Sequence, residues 1–189
     1  MKEKLRDLTR DMWNIPNALT MCRLVMIPVF VLLYLNGQPY WALGVFCLAS
    51  ITDCFDGLLA RKLNQITNFG KLFDPLADKL MVISALTCHV ITGVFPWPVL
   101  AIIAAKELVM VIGSAILLNK GHVAYSNIFG KVATVVFMAA LILGFFKEQL
   151  DQAGAPVYLW LLWTAVGLSL VAFASYVRFA LQKIRETNT

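Results

Sequence analysis

Residues 53–61 read Asp-Cys-Phe-Asp-Gly-Leu-Leu-Ala-Arg, and residues 70–79 read Gly-Lys-Leu-Phe-Asp-Pro-Leu-Ala-Asp-Lys. These two segments hold four of the chain's 11 acidic residues and lie between long apolar runs. Asp53 and Asp56 are three residues apart, and Asp74 and Asp78 are four apart, so on helices each pair shares one face. Two helices joined by a short turn would therefore direct four carboxylates at one point.

Four carboxylates near lipid are costly unless something neutralises them. Hard divalent cations prefer oxygen ligands, and two of them would balance four carboxylates. A site with two metal ions suits chemistry on phosphates. A buried salt-bridge cluster is the plainer alternative, and four basic residues lie nearby: Arg61, Lys62, Lys71 and Lys79. Simple pairing does not, however, require four Asp at these intervals.

The bulk composition is that of a membrane protein. Of 189 residues 60% are hydrophobic and the mean hydropathy is +0.75, more apolar than a soluble domain of this size. The isolated cysteines in apolar runs indicate small membrane hydrophobes, not disulfides or a zinc site. The net charge of +5 is attributed to topology and an anionic membrane surface, and the lack of a basic run argues against nucleic acid as a partner.

The apolar runs predict one all-α domain over residues 1–189 with six transmembrane helices at 18–35, 40–61, 71–91, 99–118, 128–146 and 157–181. Residues 1–13 have the spacing of a short amphipathic interfacial helix, with a polar tail as the alternative. Residues 36–39, 93–98 and 147–156 are predicted turns. Five spans with one re-entrant segment is the alternative topology. Basic residues concentrate on the side of both termini, so the termini and the Asp cluster are expected at the cytoplasmic face of the cell (inner) membrane.

Eight positions at set spacing resemble the signature of the CDP-alcohol phosphotransferases: Asp53, Asp56, Gly57, Ala60, Arg61, Gly70, Asp74 and Asp78. The resemblance implies that an acceptor hydroxyl attacks the β-phosphorus of a CDP-linked substrate and that CMP leaves. It implies two divalent metal ions, Mg²⁺ or Mn²⁺, with Asp53, Asp56 and Asp74 as principal ligands. Asp78 would lie near the second ion and take the hydroxyl proton.

The same resemblance assigns residues to the CDP-linked donor. Gly57, Ala60 and Gly70 would leave room for the nucleotide, and Arg61 would meet its phosphates or the nucleotide itself. The opening Asn14-x-Pro16-Asn17-x-x-Thr20-x-x-Arg23 resembles that of the phosphatidylglycerophosphate and cardiolipin synthases of the family, which implies that Asn17, Thr20 and Arg23 line the diphosphate pocket. Helix packing is the alternative for the small residues, and bonding back to the helix is the alternative for Thr20.

For the acceptor, the resemblance favours glycerol 3-phosphate, with CDP-diacylglycerol as donor. Buried cations should then hold the acceptor phosphate, and the candidates are Lys131, Arg178, Lys120 and Lys106. Lys106 has an alternative, because its neighbour Glu107 can neutralise it. Phosphatidylglycerophosphate synthases typically have Arg-Glu where this chain has Lys106-Glu107, and a second Lys where it has Ala133.

Two further functional hypotheses are compatible with the sequence. A cardiolipin synthase using phosphatidylglycerol is the second enzyme hypothesis, because that headgroup also carries one phosphate. A metal-ion transporter is the remote alternative, although no second acidic relay reaches the other face. Membrane lipids are expected partners, and a homodimer is compatible with the resemblance because dimers are usual in the family. His89 lies far from the motif and is expected to be packed or interfacial.

Overall fold

The computed structural model describes residues 15–62, 68–119 and 128–187 of the chain. Within those ranges, the side chains of residues 15–17, 53–62, 68–75, 115–116, 118–119 and 184–187 lie outside the description. The described residues form seven helices and no strand, which confirms the all-α prediction. The helices are α1 (Ile15–Leu35), α2 (Pro39–Lys62), α3 (Asn68–Ile91), α4 (Trp97–Asn119), α5 (Ile128–Gly144), α6 (Lys147–Gln152) and α7 (Val157–Thr187).

Within the described residues, three helices contain segments long and apolar enough to cross a membrane: Ala18–Leu35, Trp97–Ser114 and Val157–Lys183. Two shorter apolar segments, Pro39–Thr52 and Ile128–Gly144, belong to α2 and α5. A polytopic membrane protein is therefore confirmed, while the number of six crossings stays a prediction. The predicted interfacial helix over residues 1–13 lies outside the described residues.

One connection was predicted wrongly. Residues 147–156 were expected to form a turn, but Lys147–Gln152 is a short helix, α6. Lys147 and Asp151 are one turn apart and form an ion pair at 3.3 Å, and Glu148 stands in the first turn, where the helix dipole favours a negative charge. Gly154, at φ +70°, follows and turns the chain toward α7.

The chain divides into two compact units, Met1–Cys88 and His89–Thr189, with the boundary inside α3. The prediction of one domain over residues 1–189 stays a prediction. In the first unit, α1 packs against α2. The ring of Phe30 on α1 lies 6.0 Å from the ring of Phe46 on α2, centroid to centroid. The turn between these helices uses Gly37, whose φ of +75° suits a residue without Cβ.

In the second unit, α7 packs against both α5 and α4. The face of α5 that is buried repeats at helical spacing and consists of Ala133, Phe137, Ala140, Leu141 and Gly144. Most of these residues are small, and small residues allow the backbones of membrane helices to approach closely.

An aromatic cluster closes one end of the second unit, and its centre is His89. The imidazole has no exposed surface, so the prediction that His89 is packed is confirmed. It stacks on Phe95 and meets Phe145 edge-on, each at 4.8 Å between ring centroids. The ring of Phe95 in turn lies 6.2 Å from that of Tyr158. These four residues, called the His89 cluster below, join the end of α3, the turn before α4, the end of α5 and the start of α7.

Candidate active site

The first half of the signature lies on the last turns of α2. The helix continues to Lys62, so Asp53, Asp56 and the residues from Gly57 to Arg61 are all helical. At about 100° per residue, Asp53 and Asp56 are about 60° apart around the axis, which places them on one face. Just before them, the Ser50 hydroxyl donates to the Phe46 carbonyl (2.9 Å) and the Thr52 hydroxyl to the Ala49 carbonyl (2.8 Å).

The second half lies on the first turns of α3, which begins at Asn68. Asp74 and Asp78 are about 40° apart on this helix, so they too share a face. Asp78 is exposed, whereas its neighbour Ala77 has no exposed surface. Ala77 and Met81 are four residues apart and both buried, so they form the packed face of this stretch. The carboxylate of Asp78 is thus accessible to a polar ligand.

The two halves stand at matching distances from the connection between the helices. Asp56 lies six residues before Lys62, where α2 ends, and Asp74 lies six residues after Asn68, where α3 begins. Among the side chains that the structure describes, no three His, Cys, Asp or Glu lie close enough together to hold a metal ion. Three of the four signature carboxylates (Asp53, Asp56 and Asp74) fall outside those side chains, so the metal site stays a prediction.

The residues predicted for the donor lie on α1, α2 and α3. Thr20 and Arg23 are one turn apart on α1, and they are 0% and 1% exposed. Burying a guanidinium completely is costly in a membrane protein, so the burial of Arg23 favours a functional role for this residue. Asn17 is helical, as are Gly57, Ala60, Arg61 and Gly70, but the side chains of these five residues lie outside the description. Their roles stay predictions.

The four cations predicted for the acceptor phosphate differ in their surroundings. Lys131, at the start of α5, and Arg178, near the end of α7, are both exposed. Lys106 is half-buried within α4, and its ammonium forms an ion pair with Glu107 at 2.8 Å. This agrees with the alternative interpretation, in which Glu107 neutralises Lys106. Lys120 lies outside the described residues. The described geometry therefore favours Lys131 and Arg178 over Lys106 as cations available to a ligand.

Two packing contacts give the register of Lys131 against Arg178. A Cβ added at Gly130 would lie 3.7 Å from the Cβ of Ala172, so α5 and α7 meet there. At the far end, Phe145, directly after α5, and Tyr158 on α7 belong to the same His89 cluster. The helices are therefore antiparallel, and Arg178 lies about 10 Å beyond the level of Lys131 along the axis, at 1.5 Å per residue. This axial interval is within the combined reach of two long side chains.

Sequence reasoning missed a polar contact between α4 and α7. The hydroxyl of Tyr176 lies 3.1 Å from that of Ser114 and donates to the Met110 carbonyl at 3.3 Å. A Cβ added at Gly113 would stand 2.8 Å from the Tyr176 oxygen. The one available signal was the pair Gly113-Ser114, two small residues in a helix that otherwise consists mostly of large apolar ones.

The sequence model of the CDP-alcohol phosphatidyltransferase family matches residues 13–171, which include the whole signature and Lys131. The chain belongs to this family. Arg178 and Tyr176 lie beyond the matched segment.

Individual relatives extend the similarity over nearly the whole chain. A CDP-diacylglycerol–glycerol-3-phosphate 3-phosphatidyltransferase of Bacillus subtilis (strain 168) is 32% identical over 195 residues, covering 94% of this chain and 100% of the relative. The protein of that name from Rickettsia typhi is 39% identical, over 88% of this chain and 97% of its own. A probable phosphatidylglycerophosphate synthase of Mycobacterium tuberculosis (strain H37Rv) is 35% identical, over 90% and 83%.

Proposed function

We propose that this CDP-alcohol phosphatidyltransferase transfers the phosphatidyl group of CDP-diacylglycerol to glycerol 3-phosphate and releases CMP. The observation that carries the proposal is the end-to-end similarity to relatives named for that reaction, which reaches 100% of the Bacillus subtilis protein. A similarity confined to the signature would have supported the reaction type alone. The similarity, over 94% of this chain, also reaches the helices that hold the acceptor candidates Lys131 and Arg178.

The donor set of the signature fits divalent cations. Four carboxylates on two helices offer hard oxygen ligands only, which is the chemistry that Mg²⁺ and Mn²⁺ prefer. Asp53, Asp56, Asp74 and Asp78 would hold two such ions. Bound there, the ions would draw negative charge from the diphosphate and from the departing CMP. The metal requirement is part of the proposal.

Asp78 is proposed as the general base. Its side chain is exposed, so an acceptor hydroxyl can approach it. Asp78 takes the hydroxyl proton as the acceptor oxygen bonds to the β-phosphorus. The bond from that phosphorus to the bridging oxygen breaks, and CMP leaves with the electron pair. Arg61 and Arg23 would bind the donor diphosphate, and Gly57, Ala60 and Gly70 would admit its nucleotide.

The acceptor phosphate is assigned to Lys131 and Arg178. Both side chains are exposed, whereas Lys106 is engaged by Glu107. A planar guanidinium and an ammonium together supply several donors to a phosphate without requiring a deprotonation. The chemistry would take place at the cytoplasmic face of the membrane, because glycerol 3-phosphate is a charged, water-soluble acceptor and the basic loops are predicted there.

The experiment is CMP release by the purified protein in detergent with CDP-diacylglycerol and Mg²⁺. Glycerol 3-phosphate and phosphatidylglycerol are supplied in separate reactions, and a third contains EDTA. Turnover with glycerol 3-phosphate that EDTA stops, and that Mg²⁺ or Mn²⁺ restores, is the expected result. Turnover with phosphatidylglycerol alone would move the chain to cardiolipin synthesis. Absence of CMP in every reaction would contradict the transferase proposal.

A further inference from the structure

Tyr176 ties the end of α7 that carries Arg178 to helix α4. Its hydroxyl meets Ser114 Oγ at 3.1 Å and the Met110 carbonyl at 3.3 Å. Inside a membrane protein such polar contacts between helices specify rotation and register, because apolar side chains pack against one another in many ways. Gly113 makes the approach possible, since a Cβ there would lie 2.8 Å from the hydroxyl oxygen and 3.3 Å from Cε1.

This contact sets the direction of Arg178. Arg178 lies two positions after Tyr176, a rotation of about 200° around α7, so the guanidinium points away from α4 when the phenol points toward it. Arg178 is indeed exposed. The second contact of α7, between Ala172 and Gly130, fixes its level against α5, which carries Lys131 next to Gly130. Rotation is therefore set by Tyr176, and axial register by Ala172.

We propose that Tyr176 is a positioning residue for acceptor binding, which holds Arg178 oriented toward the acceptor phosphate through its hydrogen bonds to Ser114 and Met110. The inference rests on the proposed function, because it assigns Arg178 to the phosphate of glycerol 3-phosphate. Tyr176 itself needs no contact with either substrate.

The test compares Tyr176→Phe with wild type by steady-state kinetics in detergent, varying each substrate in turn. Loss of the hydroxyl should raise the KM for glycerol 3-phosphate about threefold to tenfold, the range of one net hydrogen bond, with kcat and the KM for CDP-diacylglycerol nearly unchanged. Ser175→Ala is the matched control. Ser175 is adjacent and exposed, and its hydroxyl bonds only within α7, to the Val171 carbonyl at 3.0 Å, so its KM should stay at the wild-type value.

Two double variants separate positioning from a general structural role. Arg178→Ala should abolish the effect of Tyr176→Phe, because a residue that acts through Arg178 has nothing left to position. Gly113→Ala should raise the same KM by pushing against the Tyr176 hydroxyl, and Tyr176→Phe should relieve that increase. Additive effects in the Arg178 pair would overturn the inference. A fall in the kcat of Tyr176→Phe, together with a lowered thermal midpoint, would also overturn it.

Failure of the inference is distinguishable from failure of the proposed function. A wild-type protein that uses glycerol 3-phosphate while Tyr176→Phe leaves its KM unchanged overturns the positioning role alone. A wild-type protein that uses only phosphatidylglycerol overturns the proposed acceptor, and the same KM comparison with that phosphate-bearing acceptor then decides the role of Tyr176. Absence of CMP with both acceptors overturns both proposals.

Discussion

The two ends of α7 are held in different ways. At its start, Tyr158 belongs to the His89 cluster and donates a hydrogen bond to Asp151 at 3.0 Å, and Asp151 pairs with Lys147. Near its other end, Tyr176 makes polar contacts to α4 and Arg178 is exposed. At the first end, the polar side chains of Tyr158, Asp151 and Lys147 bond to one another. The second leaves a cation available.

This difference indicates where stability and function are expected to separate. Aromatic packing around a buried imidazole tolerates little change in volume, because cores are close-packed. A helix end held by a few hydrogen bonds is more easily adjusted and can present charge to a ligand. Substitutions at the His89 cluster should therefore change stability, and substitution of Arg178 should change the kinetics.

The largest effect is expected from Asp78→Asn. Removing a general base costs about 10²-fold to 10⁴-fold in kcat, while CDP-diacylglycerol binding should be largely kept, since the amide retains the shape of the carboxylate. CMP release and binding of CDP-diacylglycerol measure the two quantities. Asp151→Asn, on α6 and bonded to Tyr158 at the start of α7, is the control and should keep wild-type turnover. Equal loss of binding and turnover in Asp78→Asn would argue against a pure base.

Arg178→Ala is expected to rank second. Losing a charge-assisted hydrogen bond to phosphate should raise the KM for glycerol 3-phosphate roughly tenfold to a hundredfold, with little change in thermal midpoint, because the side chain is exposed. Lys147→Ala removes a cation from the other end of the second unit and should leave the KM unchanged. A KM at the wild-type value in Arg178→Ala would remove this residue from the acceptor site.

Gly144→Ala should destabilise the protein without altering the kinetics of the folded fraction. The new Cβ would overlap Cδ2 and Nε2 of His89 and stand 3.1 Å from Phe95 Cζ, and overpacking of a core typically costs about 1–3 kcal/mol. Thermal unfolding in detergent measures the loss. Gly167→Ala is the matched control, since a Cβ at that position meets nothing within 4 Å. A Gly144→Ala protein as stable as Gly167→Ala would contradict the packing described for His89.

The smallest effect is expected from Tyr158→Phe. It removes one hydrogen bond, to a half-exposed carboxylate, and should lower stability by about 1 kcal/mol or less with KM and kcat unchanged. Combining it with Asp151→Asn should add little, because both changes break the same contact. A shift in the KM for glycerol 3-phosphate would show that the two ends of α7 are not separate in function.

Much of the fold was predictable because its signals are local. Apolar run length, together with Gly37, Gly93 and the prolines that open helices, placed the bounds of the long helices within about three residues, except the end of α7, which runs six residues past the predicted residue 181 to Thr187. Helix α6 was not predicted, because it is short and polar and its main local signal is the i,i+4 pair of Lys147 and Asp151. The resemblance to the family, now confirmed, rested on eight spaced residues between Asp53 and Asp78.

The sequence alone determined the long helices, the membrane class and the family, because hydropathy and motif spacing are properties of the chain itself. Only the tertiary structure decided that His89 is packed against Gly144, that Lys106 is paired with Glu107, and that Tyr176 meets Ser114 across 62 positions. In an apolar helix nearly every face is hydrophobic, so periodicity does not reveal which face meets a neighbour. The partners of its few polar groups follow from how the helices pack.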